Sequence, residues 1–410
     1  MEWAPIDPRE YGLENLPLGI FSTADERPRP GAAFGAQVID LEALVGVRLL
    51  DEETLRGEET LNAFLGRGLE RWRTVRARLQ ALLGPKASSH EREHVARAAH
   101  QRETVTMHLP VRIGDFVDFY ASREHATNLG RILRPNTEPL FPNWRHLPVG
   151  YHGRSGTVVV SGTPVRRPYG QRKAPDAAAP TFGPSEQLDA ELELGWIAGP
   201  GNALGEVIAG DDARAHVYGF VLLNDWSARD IQAWEYQPLG PFLGKSFATS
   251  IAPWVVSLDA LEPFRCADPE RDPEPLPYLR TREPWSYDVE LELLLQTARM
   301  RAHGHPAVTI SRTNARDLYW TCAQELAHVT SNGATICPGD LFGSGTISGS
   351  DPGTQGSLIE LTWRGTEPIA LPGGETRGFV EDGDTVIIRG RAQRGALRIG
   401  LGEVAGTIVG

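Results

Sequence analysis

A chain of 410 residues is too long for one ordinary hydrophobic core, so two domains are expected. Its 44 glycines and 31 prolines predict many turns and a fold built more from strands than from helical bundles. Lys and Arg number 41 against 53 Asp and Glu, and the net charge of -12 argues against nucleic acid or an anionic membrane as a general partner, though not against a small anionic substrate held by local arginines.

Residues 1–16 carry acids and prolines where a signal peptide needs an apolar segment, and no apolar run approaches the ~20 residues of a membrane span. Cys266, Cys322 and Cys337 have no metal-ligand spacing and form no disulfide framework, which predicts a reducing cytoplasm. Residues 1–108 read as a smaller unit. It holds a strand and turn over 34–41, a basic amphipathic helix over 69–83 closed by Gly84-Pro85, and a second helix over 91–101. A linker is expected at 107–110. From 109 to 410 the texture is short strands and tight turns, with strands at 156–161, 188–197, 287–295, 384–388 and 397–400. One long helix is expected over 314–329, with Leu318, Cys322, Leu326 and Val329 on one stripe, and a surface loop at 268–277.

The densest chemistry lies in 217–249. An apolar run of buried-strand length ends on Asn224-Asp225, and Ser227 offers an N-cap for a following helix. Arg229, Gln232 and Tyr236 then share one helical face before Pro238, Gly240 and Pro241 break the helix and Gly244 delivers Lys245 and Thr249. A face so polar predicts the floor of an active site. Glu191 and Glu193 alternate in a strand, so their carboxylates share a face ~7 Å apart. Taken alone, that pair reads most simply as an exposed sheet edge. With Asp118 and Asp225 it becomes an oxygen-only set of four acids, suited to calcium or magnesium and poorly to zinc.

His125 is a candidate base because Tyr120 and Arg134 lie near it in a stretch unusually rich in reactive groups. The segment 143–154 is polar, aromatic and glycine-hinged, and reads equally as a turn-rich surface. The glycine-rich run 343–349, with Thr346 inside it, lets backbone approach a ligand closely or makes an ordinary turn. Beyond it, Glu360 is placed in a strand, on the face opposite Ile359. Two motifs are decoys. His90-Glu91-Arg92-Glu93-His94 has the spacing of a zinc peptidase but sits in a solvated helix. The loop 240–246 resembles a phosphate-binding loop, yet it is one residue short and Pro241 lacks an N–H.

Together the segments IGDFVDFYASREHATN (113–128), LPVGYHGR (147–154), VVVSGTPVRRPYGQ (158–171), LDAELELGWIAGPGN (188–202), LLNDWSARDIQAWEYQPLGPFLGKSFATSIAPWV (222–255) and SGTISG (344–349) resemble the fumarylacetoacetate hydrolase family. The likeness covers nearly the whole chain and is strongest over 107–255. It implies a mainly β (α+β) fold, with a small SH3-like N-terminal barrel (1–108) and a larger mixed β-roll catalytic domain (109–410), working as a cytoplasmic homodimer. It implies metal-dependent hydrolysis of the carbon–carbon bond of 4-fumarylacetoacetate to fumarate and acetoacetate, the last step of tyrosine and phenylalanine catabolism. The family's metal positions, for Ca2+ or Mg2+, fall on Asp118, Glu191, Glu193, Asp225, Lys245 and Thr249. A protonated lysine has no lone pair, so Lys245 is expected to serve from outside the ligand set or through its backbone. The general base falls on His125 and its orienting acid on Glu360. Substrate contacts fall on Tyr120, Arg134, Gln232, Tyr236 and Thr346, and Arg229, Gln232 and Lys245 are the expected oxyanion donors. Rival readings are an acylpyruvate hydrolase or a diene-dioate isomerase or decarboxylase of the same superfamily, which commonly lack the N-terminal unit, and a calcium-binding structural protein, which would leave His125, Arg229, Lys245 and Glu360 without a role. A zinc peptidase at His90 and His94 is the weakest.

Overall fold

The structure, a computed structural model, describes residues 7–24 and 26–410. Residues 1–6, part of the stretch read as lacking a signal-peptide core, lie outside the described residues. β1 (Leu18–Ser22), β2 (Arg29–Phe34) and β3 (Gln37–Asp40) form an antiparallel meander. After two short helical segments, Leu41–Gly46 and Asn62–Leu65, come two longer helices, α1 (Leu69–Leu83) and α2 (Ser89–Arg97). β4 (Ala99–Gln101) and β5 (Thr106–His108) then complete a five-stranded sheet in the order β4-β3-β2-β1-β5. The helix expected over 91–101 is therefore shorter and its last residues are strand, because Ala99 to Gln101 pair with β3. The expected linker is also partly strand: Met107 and His108 pair with Phe21 and Ile20.

The rest of the chain builds two larger sheets. The elements in order are β6 (Phe116–Phe119), α3 (Arg123–Leu133), β7 (Gly150–His152), β8 (Val158–Val160), β9 (Val165–Arg166), β10 (Leu192–Ala198), β11 (Val217–Asp225) and α4 (Arg229–Glu235). After these come β12 (Thr249–Ile251), β13 (Glu290–Gln296), β14 (Val308–Asn314), α5 (Cys322–Thr330), β15 (Leu341–Gly343), α6 (Leu358–Leu361), β16 (Thr385–Arg394) and β17 (Leu397–Val409). One sheet runs β7-β6-β15-β10-β11-β12-β8, and the other runs β14-β13-β16-β17-β9. β6 with β15, β8 with β12 and β9 with β17 pair in parallel, so the fold is mixed, with helices filling the gaps.

Every residue of β10 and β11 is buried, which is why 217–223 runs apolar without alternation: both faces meet protein. Leu222 and Trp226 share one core with Leu291, Leu293, Ile388 and Val404 of the second sheet. In the same core the Trp196 and Phe342 rings stack at 3.7 Å, a contact worth roughly 0.5–1.5 kcal/mol beyond the area it buries. A second core joins the N-terminal residues Phe64, Trp72 and Leu79 to Val221, Leu223 and Ile251, so the N-terminal sheet and helices rest on the back of β11. No helix of the described residues is long and apolar enough to cross a membrane.

The long helix expected over 314–329 is two things instead. Asn314 ends β14 opposite Glu290, and the helix α5 starts only at Cys322. Gln324 Oε1 accepts the Thr321 backbone N–H, the signature of a capping box, and that box sets the true start. The apolar stripe continued upstream because Leu318, extended after a single 3-10 turn over Ala315–Asp317, packs beside the core outside the helix.

Candidate active site

β6, β10, β11 and β15 run side by side, and their ends, with α3 and α4, enclose a cavity of about 230 Å3. Asp118, Tyr120, His125, Arg134, Glu191, Glu193, Arg229, Gln232, Tyr236, Lys245 and Thr346 all line it. Asp225, Thr249 and Glu360 lie behind this wall, fully or almost fully buried. Residues up to 228 positions apart in sequence thus converge on one pocket.

The helix face carrying Arg229, Gln232 and Tyr236 forms without the predicted cap. Ser227 sits in a short strand paired with Asp189, and its hydroxyl donates to the Asp225 carbonyl, so Ala228 occupies the N-cap position. Glu191 and Glu193 are not an exposed edge: both are buried, the first at the isolated bridge with Ser357 and the second within β10. Glu360 is not in a strand. It is the third residue of the one-turn helix α6, and its carboxylate Oε2 accepts the Ser357 hydroxyl at 2.7 Å.

Carboxylate oxygens of Asp118, Glu193 and Asp225 lie within 4.8 Å of one another. Burial pushes the Asp118 carboxyl up to about 6 against the pull of Arg154, and burial followed by the neighbouring Asp118 and Asp225 holds Glu193 well above the usual carboxylate range. Asp118 Oδ1 and Glu193 Oε1 are buried and accept no hydrogen bond among the described residues. Orphaned oxygens in an all-carboxylate cluster are what a hard cation would satisfy, so the residues fit calcium or magnesium. Glu191 faces cations of the protein instead. It accepts Arg229 Nη2 at 2.7 Å and pairs with the Lys245 ammonium, and these charges outweigh burial and hold its carboxyl below the usual range. Lys245 Nζ also reaches Asp225 Oδ2 at 2.5 Å, while Thr249 Oγ1 donates to Asp225 Oδ1 at 2.8 Å.

His125 opens from the first turn of α3, whose N-cap Ser122 accepts its backbone N–H. The residue is 2% exposed, and its ring Nδ1 lies 2.6 Å from Glu360 Oε2. Asn128 and Ser348 also donate to the Glu360 carboxylate. Burial alone would raise the Glu360 carboxyl, but His125, Asn128 and Ser357 leave it below the usual range. His125 Nε2 faces Glu191 Oε1 at 3.8 Å, and Tyr120 stands edge-on to the imidazole at 5.4 Å. Arg134 stacks over Phe141 at 4.3 Å and donates to the Pro139 carbonyl. Thr346 offers a buried hydroxyl with no partner among the described residues. Gly345 at φ 75 brings its N–H to Glu193, and a Cβ there would stand 2.3 Å from the Phe119 carbonyl oxygen.

Two charged residues of the site were not singled out from the sequence. Arg154 is buried beneath the cluster and donates to Asp118 Oδ2 at 2.8 Å and Asp225 Oδ2 at 2.7 Å. Asp189 is fully buried behind Arg229. Arg154 lay inside a segment read as equally a surface turn, and Asp189 stands two residues before the acids that drew attention. Tyr151 also lines the cavity, its hydroxyl buried and unpartnered among the described residues.

The zinc-peptidase spacing is a decoy in the structure too. His90 is exposed, the two rings lie 4.6 Å apart, and Glu91 is spent capping its own helix through Ser88. His90→Ala is expected to leave kcat and KM unchanged in a steady-state assay, and a large loss of activity would reinstate the motif.

The fold and site define an enzyme that pairs a buried imidazole–carboxylate couple with a buried acidic cluster and the protein cations Arg154, Arg229 and Lys245. The chain belongs to the fumarylacetoacetate hydrolase family: residues 115–409 match its description "Fumarylacetoacetate (FAA) hydrolase C-terminal" and residues 14–110 match "Fumarylacetoacetase N-terminal". It is 48% identical over 417 residues to the fumarylacetoacetase of Homo sapiens, covering 100% of this chain and 99% of that protein. It is 44% identical over 407 residues to that of Arabidopsis thaliana, covering 97% and 96%. The fold is similar to a fumarylacetoacetate hydrolase from Exiguobacterium antarcticum, with a TM-score of 0.53 at 16% identity over 96% of this chain and 99% of that one.

Proposed function

We propose that this protein hydrolyses 4-fumarylacetoacetate to fumarate and acetoacetate, the last step of tyrosine and phenylalanine catabolism. The observation that carries the reading is the His125–Glu360 couple opening on the same cavity as the acidic cluster and the Arg229 and Lys245 cations. The relatives' shared name and full-length likeness support the substrate.

Cleavage of a 1,3-diketone by water needs a nucleophile, a home for the oxyanion and a leaving carbanion that can delocalise. His125 Nε2, the ring nitrogen not engaged by Glu360, takes a proton from water as its oxygen bonds to the carbonyl carbon. Glu360 holds the ring in that tautomer and balances the imidazolium charge. Arg229, Gln232 and Lys245 direct their donors at the oxygen where negative charge develops, in a pocket where burial strengthens each contact. The carbon–carbon bond then breaks with its electron pair passing to the departing carbon, and His125 returns the proton there. Arg134, Tyr120, Tyr236 and Thr346 fix the substrate ends, the guanidinium by charge-assisted hydrogen bonds to carboxylate. A calcium or magnesium ion held by Asp118, Glu193 and Asp225, with Glu191 beside it on Arg229 and Lys245 rather than in the ligand set, would supply Lewis-acid polarisation of the diketone oxygens. Thr249 and Lys245 serve that cluster from outside by orienting Asp225 and Glu191.

We further assign 1–108 as an SH3-like N-terminal domain and 109–410 as the catalytic domain, a division supported by the five-stranded antiparallel sheet that ends at His108. A homodimer is supported by exposed apolar side chains, Phe182 at 75% and Leu239 at 96% among them. The three cysteines, free of disulfides, support a cytoplasmic setting.

The test is the ultraviolet absorbance of fumarylacetoacetate with purified protein, with and without magnesium or calcium. The expected result is metal-dependent loss of the diketone band with fumarate formed. Cleavage of a shorter acylpyruvate but not of this substrate would keep the chemistry and replace the substrate. Calcium binding with no cleavage of either would make it a binding protein.

A further inference from the structure

We infer that Asp189 is a positioning residue that locks two halves of the reaction machinery together, the Arg229 guanidinium on one side and the Glu360–His125 couple on the other. The inference rests on the reading of His125 as base and Arg229 as oxyanion donor. Asp189 does not line the cavity and is fully buried. Its Oδ2 accepts Arg229 Nε at 2.8 Å and the Ile359 N–H at 3.2 Å. Its Oδ1 accepts the Leu358 N–H at 2.7 Å and the Ala190 N–H at 2.8 Å.

Each bond has a consequence inside the pocket. Leu358 and Ile359 open α6, and the first N–H groups of a helix have no partner of their own in it. Ser357, at the N-cap, does not supply one, because its hydroxyl is turned to Glu360. The Asp189 carboxylate fills that role from across the fold, and α6 thereby sets the height at which Glu360 meets His125 Nδ1. At the other end, fixing Nε leaves the guanidinium fork one orientation, with Nη2 on Glu191 Oε1 at 2.7 Å and Nη1 on Gln232 Oε1 at 3.1 Å. One carboxylate therefore ties the base-holding helix to the oxyanion cation, and neither end carries a covalent link to the other nearer than the 129-residue span from Arg229 to Leu358.

An asparagine at 189 keeps the shape but turns an N–H2 toward a ring of donors, so the two bonds of whichever oxygen it replaces are lost. The experiment uses the full-length protein with saturating magnesium, fumarylacetoacetate as substrate, and hydrogen exchange at 358 and 359. Asp189→Asn is expected to lower kcat by about 100-fold, the usual cost of misplacing a catalytic group by ~1 Å, with KM retained and faster exchange at both amides. Thr330→Val serves as a stability control, because it removes a buried hydroxyl that bonds the main chain of Leu326 and Ile208 away from the cavity. A kcat for Asp189→Asn no lower than that of the control overturns the inference. Should the amide variant not fold, Asp189→Glu keeps the charge and shifts the carboxylate by one methylene. There a fall in kcat at constant KM supports positioning, and wild-type kcat overturns it. If the wild-type protein does not turn over, the functional reading fails and this inference falls with it; wild-type turnover with an unaffected variant removes this inference alone.

Discussion

Replacing His125 with alanine lowers kcat by about 10²–10⁴-fold, the range contributed by a positioned general base. KM stays near the wild-type value, because the imidazole is held by Glu360 and Tyr120 packing and the groups aimed at the substrate carboxylates are others. Glu360→Gln is expected to lose less. The carboxamide still occupies the site between Asn128, Ser348 and Ser357, but it no longer carries the charge that balances an imidazolium. Steady-state kinetics on the two variants, with folding checked by circular dichroism, decide the matter. An alanine variant that keeps more than about a tenth of the wild-type kcat would remove His125 from the base role, since that loss is below what general-base catalysis supplies.

Much of this pocket was legible in the sequence because its parts lie at element ends with local signals. The apolar run into Asp225 and the i, i+3, i+7 face of Arg229, Gln232 and Tyr236 need only strand and helix periodicity to be read, and all three side chains meet the cavity. The four acids stood out by chemical type. What stayed hidden depends on partners remote in the chain. The burial of Glu191 and Glu193 is set by β11 and β15 on either side of β10, so two carboxylates that looked like an exposed edge are interior. Ser227 has the right residue type for a helix cap, yet pairing with Asp189 takes it into a strand. Glu360 was placed in a strand by alternation over 357–361, although Ser357 three residues before it carried the spacing of a helix start. Arg154 gave no local sign, because a left-handed turn at φ 46 and the rings of Phe116 and Tyr151 carry it under the cluster.

Lys245→Met is expected to cost both stability and rate, and the two losses separate its roles. Lys245 is 3% exposed as a residue, and its ammonium touches Glu191 and Asp225. Burial disfavours its charge, but those two carboxylates more than offset burial and raise its affinity for the proton, so it is a cation at neutral pH. Methionine matches its length and carries no charge, which leaves the carboxylates in the interior with one counter-charge fewer. Breaking a buried ion pair from one side typically destabilises by about 3–5 kcal/mol, and denaturant unfolding of the metal-free protein should show a loss of that order. A divalent cation adds charge at the same carboxylates, so magnesium is expected to restore part of the lost stability. The rate should not follow. Loss of one oxyanion donor costs about 10²–10³ in kcat, and a methyl thioether cannot replace an N–H however much magnesium is present. Recovery of both stability and kcat with magnesium would reduce Lys245 to a place-holder for charge, whereas recovered stability with kcat still low assigns its hydrogen bond to the developing oxyanion.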